Sequence, residues 1–157
     1  MRVLLDSTYF FSLIGVRIIS SGDLLQTLLA QPIEIHLANI TLFELSAKGA
    51  HFTMKGQLNP KQVIEGINSI LYDKRLHQDS VLDSDILRFA FEIRKLHSDF
   101  IDCLILACAI ENADLLLTED GKIHKLVQQN KLMREILNEE NESFETLSGE
   151  RFLHSKL

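Results

Sequence analysis

No stretch of this sequence is apolar for long enough to cross a membrane; none of its runs approaches the ~18 residues that a span requires. Its opening segment, Met1-Arg2-Val3-Leu4-Leu5-Asp6, has the character of a strand and not of a secretion signal. A cytoplasmic protein with no membrane partner is therefore expected. Cysteine is scarce. The two present, Cys103 and Cys108, fall in one apolar helical stretch where they point in different directions. They cannot readily bridge and are expected to be small buried hydrophobes. No Cys/His cluster has zinc-finger spacing. Proline occurs only twice, and neither a linker, an internal repeat nor a low-complexity tract stands out, so one domain over residues 1–157 is expected. Positive charge is in deficit. The formal net charge of −6 argues against a protein that coats nucleic acid through bulk charge. It does not argue against an enzyme acting on nucleic acid, because acidic metal ligands themselves lower the net charge and a bound cation cancels part of it.

What is present is a chain of 157 residues, 46% apolar and 24% charged, enough for one domain with a real core. Val3 to Leu5 is a short buried strand by its continuous apolar run. Ser7 or Thr8 can cap a short helix that runs through Ile14 and stops at Gly15. Asp23 to Ala30 reads as another helix, with Leu24, Leu25, Leu28 and Leu29 on one face, and Pro32 breaks it. Ile33 to Leu37 alternates as a strand. Thr41 opens a helix with Glu44 three residues on, the capping-box pattern. Asn59 can cap a helix with Pro60 at its first position, and Val63, Ile64, Ile67, Ile70 and Leu71 form its apolar stripe.

Ser80 to Leu82 reads as a short strand. Asp83 or Ser84 starts a helix with Ile86, Phe89, Ala90 and Ile93 inward. Asp99 can cap the apolar helix that follows, and Ala113 to Thr118 is a strand. Ile123, Leu126 and Val127 mark a further helix, extended or followed by one carrying Leu132, Met133, Ile136 and Leu137. The polar, acidic end offers one more edge strand near Phe144. Strands separated by helical patterns imply a three-layer α/β/α fold with a mainly parallel central sheet. In such folds functional groups gather beyond the carboxyl ends of the strands, where Asp6 and Asp120 fall.

Four acids occupy matched local contexts. Asp6 and Asp120 each follow a buried strand. Glu44 lies in the first turn of a helix that follows a strand, and Asp102 in the first turn of the most apolar helix. A helix dipole favours an acid in the first turn by roughly 0.3–1 kcal/mol, which accounts for one carboxylate but not for four that converge. Gathered carboxylates repel and raise one another's pKa. A Mg²⁺ or Mn²⁺ ion, hard and oxygen-seeking, resolves the conflict and can activate water against a phosphodiester.

The residues that carry this pattern resemble the PIN-domain nucleases, found as VapC-type toxins and in RNA-processing proteins. The matching segments are Val3-Leu4-Leu5-Asp6-Ser7-Thr8, then Ile40-Thr41-Leu42-Phe43-Glu44, then Asp102 opening the Ala-rich helix to Ala109, and last Leu115-Leu116-Leu117-Thr118-Glu119-Asp120. The Asp102-to-Asp120 separation fits the family's usual spacing, and the likeness runs over roughly residues 1 to 130. It implies a Mg²⁺- or Mn²⁺-dependent endoribonuclease leaving 5′-phosphate and 3′-hydroxyl ends, with Asp6, Glu44, Asp102 and Asp120 as catalytic metal ligands and Thr118, Asp99 and Ser7 in support. For a toxin it also implies a small antitoxin partner and a homodimer. One departure stands out. Many members carry another acid shortly after the last Asp, but here Gly121-Lys122-Ile123-His124 follows, so either that corner is weaker or Glu119 or Asp99 assists.

Each acid also has an ordinary local explanation. Asp6 and Asp99 suit helix caps, Glu44 suits a capping box or an i,i+4 pair with Lys48, and Asp-Gly at Asp120 is normal turn chemistry. Thr118 can orient Asp120 or simply end its strand. Lys48, Lys55, Lys61, Lys122, Lys125, Lys131 and Arg134 could meet RNA phosphates, though scattered lysines more often form a solvated face. His51, His97 and His124 are candidates for neighbours of the site, but hydrolysis by metal-activated water needs no histidine base. Tyr9, Phe10 and Phe11 suit the core better than a stacking platform. The ordered set of four acids favours the metal cluster. The alternative is a catalytically weak PIN-like module that binds RNA or protein during RNA processing. A haloacid-dehalogenase-type phosphatase would want a second Asp where Thr8 stands.

Overall fold

The computed structural model describes residues 1–17 and 22–156. Its centre is a five-stranded sheet in the order β3-β2-β1-β4-β5, formed by β1 (Arg2–Leu5), β2 (Glu34–Ala38), β3 (Leu76–Asp79), β4 (Leu115–Leu117) and β5 (Glu145–Leu147). All four pairings are parallel, and β1 joins the halves by aligning Val3 with both Ile35 and Leu115. An all-parallel sheet must be covered on both faces. The strand period of two therefore sends neighbouring leucines to opposite cores. Leu4 and Leu116 pack against α4 (Ser84–Arg94), α5 (Phe100–Asn112), α6 (Gly121–Gln129) and α7 (Lys131–Glu140). Val3, Leu5, Leu115 and Leu117 pack against a 3₁₀ helix at Ser7–Ile14 and against α1 (Gly22–Leu29), α2 (Ile40–Met54), α3 (Pro60–Leu71) and α8 (Gly149–Lys156). This is the expected three-layer α/β/α fold. Among the described residues no helix is long and apolar enough to cross a membrane.

Helix α5 is apolar nearly all round, with every residue from Cys103 to Ile110 buried, because it is wedged between the sheet and α4. Both cysteines are free and buried, as expected of small hydrophobes. Tyr9, Phe10 and Phe11 are core residues. Asn59, Asp83 and Asp99 cap α3, α4 and α5 through their side chains.

Other local expectations are corrected. Asp6, not Ser7 or Thr8, caps the first helical segment, which is 3₁₀ and ends at Gly15 with φ +94°. The capping box does not form. Helix α2 begins one residue earlier, after Asn39, with no side-chain cap, and the Thr41 hydroxyl is buried without a protein partner among the described residues. The third strand is Leu76–Asp79, whereas Val81 and Leu82 lie in a turn. As an edge strand β3 is polar enough to escape a search for apolar runs. Ile64 and Leu71 are exposed, so the buried stripe of α3 narrows to Val63, Gly66 and Ile70, with Ile67 packed at its margin. Phe144 is buried just before the terminal edge strand β5, and α8 follows it with a fully buried Phe152.

Candidate active site

Strand order builds the site. Because β1 lies between β2 and β4, the residues leaving the carboxyl ends of all three strands meet at one edge of the sheet. Asp6 leaves β1, Glu44 sits on the helix after β2, and Thr118 and Asp120 leave β4. Asp102 enters from the first turn of α5, which packs directly behind these strands. All four predicted acids line one cleft of about 360 Å³, together with Ser7, Lys48, Asp99, Thr118 and Glu119.

Thr118 is the fulcrum. Its hydroxyl donates to Asp6 Oδ2 at 3.0 Å and accepts from the backbone N–H of Asp120 at 3.1 Å. One buried hydroxyl thus fixes the two strand-end segments against each other. Asp6 Oδ1 accepts from the Ser7 N–H at 2.7 Å, and the Thr8 hydroxyl approaches Oδ2 at 3.4 Å. Ser7 therefore contributes its main chain. Asp120 caps α6 by accepting from the Lys122 N–H at 2.6 Å. Asp99 caps α5 through the Ile101 N–H at 2.9 Å and so borders the cleft in a structural role. Glu44 pairs with Lys48 at 3.4 Å, as the i,i+4 spacing suggests.

His97 is the neighbour that the sequence could only nominate. Its Nε2 lies 2.9 Å from Asp102 Oδ2, and its side chain is largely buried beside that acid, which is 32% exposed. His124 spans Thr118 O and Thr146 Oγ1, at 3.0 Å each, and so supports the Thr118 turn from behind. Glu119, nominated as a stand-in for the missing extra acid, turns its Oε1 to the Tyr9 hydroxyl at 2.6 Å and the Gly149 N–H at 3.0 Å. It ties the 3₁₀ helix to α8. Nothing in its local sequence distinguishes it from Asp120; only the packing of Tyr9 does.

The charges feel one another. Burial pushes the Asp6 carboxyl up to about 6, against the hydrogen bonds from Thr118 and Ser7, and the negative charges of Glu44 and Asp102 push the same way. Burial also raises Asp102. The His97 hydrogen bond opposes this, while Asp99 and Asp120 reinforce it. Among the described residues Asp6 and Asp120 have no cationic side-chain partner. The donor set is therefore all oxygen, acidic and under mutual repulsion, which suits a hard divalent cation. Among the described residues no three potential ligands close around a common point. Each carboxylate is instead turned to its own local partner.

The family model of the PIN domain matches residues 3–128, a span that contains every acid of the cleft. No curated protein matches the chain. Among solved structures, a chain from VapBC2 of Rickettsia felis, bound to a DNA fragment from their promoter, aligns with a TM-score of 0.57 and 17% identity. The alignment covers 94% of this chain and 98% of that one. At this identity the likeness establishes the fold.

Proposed function

The chain belongs to the PIN domain family, whose members are generally nucleases, and from that premise we propose that it is a Mg²⁺- or Mn²⁺-dependent endoribonuclease of the cytoplasm. One PIN-like domain would span residues 1–157. The observation that carries the reading is the convergence of Asp6, Glu44, Asp102 and Asp120 on one cleft, with Asp6 pushed up to about 6 by burial and by its acidic neighbours.

These four carboxylates would hold the ion. When bound, it supplies Lewis acidity, making water a competent nucleophile near neutral pH and stabilising charge on the phosphoryl oxygens. The rest falls to the chain. Thr118 keeps Asp6 and the Asp120 backbone in register. His97 orients Asp102 by donating an N–H to it, as a residue behind a ligand does. Lys48, paired with Glu44 at 3.4 Å, would be left free for a substrate phosphate if Glu44 served the ion. The test is cleavage of an RNA panel by the pure protein with and without Mn²⁺. Asp102→Asn should lose more activity than the ~10–100-fold typical of removing a group that only orients a ligand. A variant that cleaved as fast as the parent would sink the assignment.

The likeness to a VapBC2 chain supports a toxin over a general RNA-processing factor; the small antitoxin partner and the homodimer proposed with that role rest on the family resemblance. A short overlapping upstream gene is the expected companion of that role, and an isolated gene would speak against it. One observation favours the weaker alternative, a binding module without turnover. The cleft acids are individually satisfied and do not close around one point, and Gly121-Lys122 follows Asp120 where another acid would strengthen that corner. Calorimetry decides between the two. Absence of Mn²⁺ binding at millimolar concentration would support the module, and binding accompanied by cleavage would exclude it.

A further inference from the structure

The acid cleft opens at Glu44 and Lys48 into a second groove of about 490 Å³ whose walls are almost wholly apolar. Phe43, Phe52 and His51 of α2 form one wall, and Phe11 with Ile101 forms the other. Helical spacing explains the first wall. Phe43 and His51 lie two turns apart on one stripe, and Glu44, Lys48 and Phe52 lie on the adjoining one. The second wall ends beside the acids, since Ile101 immediately precedes Asp102. Phe43 is 65% exposed although it is the immediate neighbour of an acid of the cleft. Such a ring contributes little to the core, and an exposed aromatic patch that adjoins a site marks a binding surface.

The charges around the groove suit a polyanion. Lys48 stands at the seam, with its ammonium 4.2 Å from the centre of the Phe11 ring and 3.4 Å from Glu44. Beyond the acid cleft lies a shallow basic surface that carries exposed Lys122 and Lys125 near His97. The aromatic groove is built on the helix that follows β2, and the basic surface on the helix that follows β4. These strands flank β1 on opposite sides, so the acids lie between aromatic rings and lysines.

We propose that the groove beside Phe43 is a nucleobase subsite. It would take one unpaired base of a single-stranded RNA whose neighbouring phosphate lies at the acid cleft. Lys48 would meet the phosphate at the seam, and Lys122 and Lys125 would meet phosphates on the far side. Stacking on a ring suits any base, because every base has a π-face, but it requires the base to be unstacked from a duplex. The substrate class is therefore single-stranded RNA or an unpaired loop. This deepens the nuclease reading and rests on it for the position of the phosphate.

The test reads binding apart from cleavage. A single-stranded RNA decamer carrying 2-aminopurine is titrated with the full chain in Ca²⁺ buffer. Fluorescence quenching on binding is expected. Phe43→Ala should weaken binding by roughly five- to a hundred-fold, the loss that follows from removing one stacking partner, and Phe43→Tyr should restore it. Duplex RNA of the same sequence should bind poorly. Phe43→Ala is expected to keep the parent's circular dichroism, since its ring is outside the core. Equal affinity of parent and Phe43→Ala, or of single strand and duplex, would overturn the proposal. Loss of binding to an amphipathic peptide, with RNA affinity unchanged, would overturn it as well and assign the groove to a protein partner. The two readings fail separately. Quenched binding without Mn²⁺-dependent cleavage removes the nuclease reading alone, whereas cleavage with unaltered Phe43→Ala affinity removes the base subsite alone.

Discussion

Replacing Asp6 by Asn should make the metal-free protein more stable while disabling its proposed site. Asp6 has its carboxyl pushed from an ordinary 3.8 to about 6, chiefly by burial. That displacement corresponds to about 3 kcal/mol of penalty for keeping the group ionised at pH 7. Asn removes the charge, and it caps the 3₁₀ helix as well as Asp does, so the bond from the Ser7 N–H survives. The bond from the Thr118 hydroxyl to Oδ2 is lost or reversed at a cost of about 1 kcal/mol. The net gain is about 2 kcal/mol, or roughly 4–8 °C in Tm for a chain of this size. The pH dependence has a definite sign. The folded state holds the Asp6 proton more tightly than the unfolded chain does. The stability associated with the protonated form is complete below about pH 4, falls as pH rises from about 4 to 6, and is gone above that. The advantage of Asp6→Asn should therefore be full at pH 7 and absent near pH 4. Thermal denaturation in EDTA at the two pH values measures it. Added Mn²⁺ should then raise the Tm of the parent and not of the variant, since only a binding-competent native state is stabilised by mass action. A variant that melts below the parent at pH 7 in EDTA, or whose advantage is the same at pH 4, would refute the reasoning.

Thr118→Val deletes the hydroxyl that serves both Asp6 and the Asp120 main chain. Mn²⁺ affinity by calorimetry should fall roughly 10–100-fold, and an unchanged affinity would deny Thr118 its bracing role. Gly66 of α3 passes so close to the 3₁₀ helix that a Cβ would run into the Leu13 carbonyl. Gly66→Ala should thus cost about 2 kcal/mol or more in urea denaturation, and a neutral result would place the two segments farther apart. Glu119→Ala orphans the buried Tyr9 hydroxyl and the Gly149 N–H. Amide hydrogen exchange should then speed up in α8 more than in α5, whereas uniform protection would mean that Glu119 does not anchor the terminal helix.

Much of the site was legible because the pattern is local. A continuous apolar run such as Val3-Leu4-Leu5 or Leu115-Leu116-Leu117 has to be buried, and a carboxylate cannot follow it inside, so Asp6 and Asp120 had to emerge at strand ends. Asp102 was legible in the same way, at the start of a helix too apolar to face water. The misreadings also have local causes. Thr41 and Glu44 match a capping box letter for letter, yet Thr41 is drawn into the core and Glu44 meets Lys48, because burial outweighs a cap worth about 1 kcal/mol. Strand β3 lacks an apolar run since it pairs on one side only. Helix α8 lies in a polar tail whose buried Phe152 gives too little periodicity to read.

The sequence by itself determined which segments are buried and where each buried segment gives way to an acid. Such facts follow from side-chain solvation and from periods of two and 3.6 residues, which act over a few positions. Tertiary structure alone decided that β1 lies between β2 and β4, and so that residues 6, 44, 102 and 120 share one cleft. It decided that Glu119 turns to Tyr9 while Asp120 stays at the site, that His97 stands behind Asp102, and that Phe43 borders the acids and is left outside the core. The reason is that pairings between distant strands place groups far apart in the chain side by side, and no local preference records them.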